Sequence, residues 1–124
     1  MTFALWCVLA ASILPYIWST LSKSDRSYDN AKPRLHAKTG WRQRSDWVQQ
    51  NSWEAFAPFA AAVLIAHWAH APQSSVDWLA GLFIVFRLAY GVVYLLDLAT
   101  IRSLVWGCGM ACVVGLYVVA ARAA

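Results

Sequence analysis

Four long stretches of the chain are dominated by apolar residues, and none shows the polar–apolar alternation of a half-buried strand. The first, residues 3–21, carries no charged side chain; at ~1.5 Å per residue it just crosses a hydrocarbon layer of ~30 Å. The second covers residues 52–71, and its helix is expected to begin earlier, near Ser45 or Asp46, either of which can cap. A short turn, APQSSVD, leads to the third at 78–98, and Ala99–Ile101 separate that from the fourth at 102–120. No low-complexity segment or regular repeat interrupts this order. In lipid only helices and closed barrels satisfy their backbone groups. The pattern therefore predicts an all-α, integral membrane four-helix bundle, a single domain over residues 1–124.

Composition supports the membrane reading. The chain is 60% hydrophobic and only 13% charged, whereas soluble domains carry about a quarter charged residues. A cleaved signal peptide normally starts with a basic segment; Met1 and Thr2 supply none, so the first run is read as a retained span. Seven of the ten Lys and Arg residues (Lys23, Arg26, Lys32, Arg34, Lys38, Arg42 and Arg44) lie in the loop 22–50. The positive-inside bias then puts that loop in the cytoplasm and both termini outside. Arg102 agrees with this orientation and Arg122 is the exception. The net charge of +4 follows from the same bias and from anionic lipid, so no nucleic-acid partner is inferred.

Cys7, Cys108 and Cys112 all sit in apolar runs and read as small packing residues with no zinc-ligand spacing. His67 and His70 form an i,i+3 pair with only Asp77 for company, so no metal site is assigned. Of the eight tryptophans, Trp41, Trp68, Trp78 and Trp106 fall near span ends, where an aromatic belt is the expected use.

The chemistry lies in polar residues that interrupt lipid-like sequence. Arg44, Trp47, Asn51, Glu54 and Pro58 are spaced 3, 4, 3 and 4 apart, one stripe on one helix face. In the third run Arg87, Tyr90, Tyr94 and Asp97 repeat the pattern. An ionised Arg87 in mid-run must face protein, water or a partner charge, and Glu54 on the antiparallel neighbour is the natural partner. Such a pair could simply fix helix register. Two tyrosines and Asn51 supply more donors than one ion pair needs, which favours an anion-accepting pocket at the cytoplasmic end. Arg102 and Ser103 are expected in the first turn of the fourth helix, beside unpaired backbone N–H groups. There Arg102 is either a topology anchor or part of a site for an anion or thiolate.

With these residues assembled, the chain resembles the MAPEG family, the membrane-associated proteins of eicosanoid and glutathione metabolism. The resemblance rests on Arg44 with Asn51-Ser52-Trp53-Glu54 and Pro58, on Arg87, Tyr90 and Tyr94, and on Arg102-Ser103, in that order. The loop segment YDNAKPR resembles the bacterial branch, which implies a bacterial inner membrane. The resemblance implies a homotrimer with glutathione held between subunits near the cytoplasmic side. It implies that Arg44, Asn51, Glu54, Arg87, Tyr90, Tyr94 and Ser103 bind the tripeptide while Arg102 stabilises its thiolate. The activity implied is a membrane-bound, glutathione-dependent transferase or peroxidase acting on lipophilic electrophiles. The alternative is a non-catalytic membrane subunit or binding protein of the same fold. Many family enzymes carry an Arg where this chain has Trp47, or directly before the Asn, where it has Gln50.

Overall fold

The computed structural model describes residues 1–124 and contains four helices and no strand: α1 Phe3–Ser22, α2 Gly40–Trp68, α3 Gln73–Leu95 and α4 Ala99–Ala123. The protein is an all-α membrane bundle. α1, α3 and α4 are each long and apolar enough to cross a bilayer. α2 is different. Its 29 residues span about 43 Å, more than a hydrocarbon core needs, and its first half carries Arg42, Arg44, Asp46 and Glu54. Only the stretch from Ala55 to Trp68 is apolar.

α2 begins five residues before Ser45, not at Ser45 or Asp46. Both expected caps are engaged elsewhere. The Ser45 hydroxyl donates to the Trp18 carbonyl of α1 at 2.8 Å, and the Asp46 carboxylate pairs with Lys38 Nζ at 2.6 Å. The turns after α2 and α3 are built alike. His70 (φ 53°) and Asp97 (φ 61°) adopt left-handed backbone and close α2 and α3. Ala71 N–H bonds the Ala66 carbonyl, and Leu98 N–H bonds that of Val93, so each turn satisfies terminal carbonyls in two or three residues. α3 runs from Gln73 to Leu95, displaced toward the N-terminus from the apolar run 78–98, which leaves Asp97 in the turn. α4 starts at Ala99, which puts Arg102 in its first turn as expected, and runs on to Ala123, beyond the apolar run 102–120.

α2 and α3 each approach all the other helices, while the backbones of α1 and α4 stay more than 8 Å apart. The core is built from small residues and a few large ones. Ala4, Ala11, Ala55, Ala62, Ala66 and Ala80 are buried, and Phe59 stacks on Phe83 with ring centroids 3.9 Å apart. Small side chains let helix backbones approach closely, which is the main route to tight packing where lipid is as apolar as the core. At the end of the bundle away from the long loop, Asp77 of α3 accepts from the Ala4 N–H at 2.8 Å and so caps α1 across the helix boundary. The connecting loop is ordered by local polar contacts. Asp25 accepts from the Ser27 N–H at 3.1 Å, which holds its carboxyl below the usual range, and it lies 3.8 Å from His36.

Candidate functional site

The stripes on α2 and α3 meet at the ends of these helices nearest the long loop. Asn51 and Glu54 of α2 and Tyr90 and Tyr94 of α3, with Trp47 and Gln50, line an open depression of about 390 Å³. Arg102 and Ser103 line a second hollow of about 450 Å³ at the start of α4. The two are joined through Tyr94. The Arg102 guanidinium lies 4.3 Å from the Tyr94 ring centroid, and Tyr94 meets Tyr90 edge-on at 5.5 Å. Tyr90 in turn carries the Arg87 guanidinium at 4.5 Å. The result is a ladder, Arg87–Tyr90–Tyr94–Arg102, held by attraction between cations and ring faces.

Arg87 stands at the buried end of this ladder, only 4% exposed. Its Nη2 donates to Ser52 Oγ at 3.3 Å, and that hydroxyl donates to the Val48 carbonyl at 2.7 Å. The expected Glu54–Arg87 ion pair is not formed within the subunit; the Lys or Arg side chain paired with a carboxylate is Lys38, on Asp46. Helix geometry explains this. Ser52 and Glu54 are two residues apart, so they point about 200° apart around α2. Ser52 faces Arg87 inside the bundle, and Glu54 faces outward, where it accepts from Asn51 Nδ2 at 3.1 Å. Asn51 Oδ1 is buried without a partner.

Arg44 does not reach the depression. Its Nε and Nη2 both donate to the Leu95 carbonyl at the end of α3, at 3.2 and 3.0 Å. Arg102 stands in the first turn of α4 as expected, but its own N–H is not free: it is bonded to the Leu98 carbonyl at 2.9 Å. The Ser103 hydroxyl turns back onto the Ala99 carbonyl at 3.2 Å.

Sequence reasoning missed Ser52 and the role of Trp47. Ser45 and Ser52 are seven residues apart and both buried, so a second, inward polar stripe on α2 was there to be found. Trp47 packs on Tyr94 with ring centroids 6.3 Å apart. Trp47 and Gln50 also border a polar hollow of about 630 Å³ on the loop side, where Lys23, Arg34 and Lys38 collect.

Chemically, this face offers one outward carboxylate, two tyrosines and a partly exposed guanidinium, while the unpartnered Asn51 amide oxygen stays buried. It can accept from an ammonium and donate to an anion within one short stretch of surface. No curated protein and no solved structure matches the chain. A family model described as MAPEG family matches residues 3–122, nearly the whole length. On that match, and with both helix stripes converging as they do, the chain belongs to the MAPEG family.

Proposed function

We propose that the protein is a membrane-bound, glutathione-dependent transferase or peroxidase that acts on lipophilic electrophiles. The observation that carries this reading is the outward carboxylate of Glu54 beside Asn51 on the same face as the Tyr94–Arg102 contact. Glutathione brings an ammonium, two carboxylates and a thiol, so its site must supply both charge signs. Glu54 would take the ammonium, Asn51 and the tyrosines the peptide groups, and Arg102 the sulfur. A guanidinium beside a thiol lowers its pKa and raises the thiolate fraction at neutral pH.

A single subunit leaves Glu54 exposed close to lipid and Arg87 inside the bundle. An outward carboxylate at that depth is costly unless something polar covers it. A homotrimer, with the depression closed by a neighbouring copy, removes that cost and can provide cations for the ligand's carboxylates. The apolar groove for the lipophilic substrate would then lie between copies, since the α1 and α4 backbones stay more than 8 Å apart within one. The second reading, a non-catalytic membrane subunit, draws on Arg44 being turned to the α3 end and on Trp47 standing where many relatives have Arg.

Purified protein in detergent decides between them. With millimolar glutathione, the enzyme reading expects a thiolate ultraviolet absorbance at neutral pH. Arg102→Leu should cut that absorbance about tenfold while leaving most of the binding. Glu54→Gln should weaken binding itself by roughly ten- to a hundredfold, the usual effect of losing a charge-assisted hydrogen bond. If glutathione neither binds nor stabilises the protein, the non-catalytic reading replaces the enzyme one.

Orientation is testable separately. In an inner membrane with the long loop in the cytoplasm, single cysteines at Lys32 and Ser75, in a background lacking Cys7, Cys108 and Cys112, should label from opposite sides. Labelling of both from one side would overturn the assignment.

A further inference from the structure

We infer that Arg44 is a positioning residue, which sets the α3–α4 turn so that Arg102 faces Tyr94, and that it does not itself contact the ligand. This rests on the glutathione reading above for its chemistry but not for its geometry. Three of the last carbonyls of α3 are satisfied locally: Val92 by the Leu96 N–H, Val93 by Leu98 and Tyr94 by Asp97. The next, Leu95, is held by Arg44 through two donors at 3.2 and 3.0 Å. A helix C-terminus is negatively polarised, so a guanidinium there is both a hydrogen-bond partner and a favourable charge.

Leu95 lies just before the turn, and Arg102 just after it. The turn itself is Leu96, Asp97 in left-handed conformation, and Leu98, whose carbonyl accepts the N–H of Arg102, the fourth residue of α4, at 2.9 Å. Fixing the Leu95 carbonyl therefore fixes the start of α4 and the stacking of Arg102 on Tyr94 at 4.3 Å. α2 grips the same end of α3 a second time, one turn further on, through Trp47 against Tyr94. α2 thus fastens the end of α3 that carries Tyr94, and with it the turn on which Arg102 stands.

The first arm of the test uses no thiol. Phenylglyoxal modifies accessible guanidinium groups, and mass spectrometry assigns the labelled residue. In Arg44→Gln, labelling of Arg102 should rise roughly two- to fivefold as its contact with Tyr94 loosens. Arg26 and Arg34 in the loop should label as in the wild type, and Arg44→Lys, which keeps the charge, should fall between. Unchanged Arg102 labelling in Arg44→Gln overturns the inference, whether or not glutathione binds. The second arm titrates the glutathione thiolate. Arg44→Gln should raise the midpoint by about half to one pH unit, because Arg102 no longer faces the sulfur squarely. Its effect on affinity should be the same for glutathione and for its glycine monoethyl ester. An unchanged midpoint would make Arg44 merely structural, and an affinity loss that vanishes with the ester would make it a direct carboxylate contact. Either result sinks the inference. Failure of the wild type to bind glutathione removes the function proposed above and leaves the labelling to decide.

Discussion

Gly91→Ala should destabilise the subunit by about 3 kcal/mol or more, the upper end of the usual cost of overpacking. A Cβ at Gly91 would lie 2.1 Å from Cζ2 of Trp18, with two more indole atoms within 2.8 Å. These are ring atoms of a side chain only 6% exposed, not the tip of a flexible one. Trp18 packs with Leu14, Val48 and Tyr90, and its backbone carbonyl is held by Ser45. The indole cannot swing away without disturbing three helices and the tyrosine at the centre of the site. Its N–H is buried without a partner, so shape rather than hydrogen bonding keeps the ring in place. Thermal unfolding in detergent should show the loss. Trp18→Leu on its own should also destabilise, but the double variant should recover much of the Gly91→Ala deficit, a clear departure from additivity. A Gly91→Ala protein that melts like the wild type would mean that the two helices do not cross this closely.

Arg87 should behave in the opposite way, with stability and binding separating. The guanidinium is buried with one hydrogen bond at 3.3 Å and one ring contact, and no carboxylate lies within 4 Å of it. A charge so placed costs a few kcal/mol in a membrane setting. Arg87→Met keeps the bulk and removes the charge, so the variant should be as stable as the wild type or more stable by about 1–3 kcal/mol. Arg87→Ala leaves a cavity and should lose roughly 2–5 kcal/mol. If the charge serves the ligand, Arg87→Met should still bind glutathione about a hundredfold more weakly. Calorimetric titration beside thermal unfolding reads both effects. A Met variant as unstable as the Ala variant would show that the charge itself holds the bundle together, which is the register role.

Much of the site was legible because helices are periodic. The spacing of Asn51 and Glu54 put them in reach of one another, and the spacing of Arg87, Tyr90 and Tyr94 produced the ladder that the fold displays. What spacing could not supply was the acceptor for each guanidinium. Periodicity fixes which residues share a face of one helix, but not which atom of a second helix arrives opposite. Arg87 met Ser52 instead of Glu54, and Arg44 met a backbone carbonyl that no side-chain pattern encodes.

The sequence by itself determined four helices, their apolar character and the convergence of polar residues near the loop end of the bundle. These follow from local composition and a 3.6-residue period, and each can be read within one segment. The tertiary structure decided the helix starts and the hydrogen-bond partners. Ser45 and Asp46 were free to cap only until α1 and the loop claimed them. α4 could begin at Ala99 because Asp97 took a left-handed turn that the sequence permits without announcing. Such choices depend on contacts between residues distant along the chain, whose energies no local window contains.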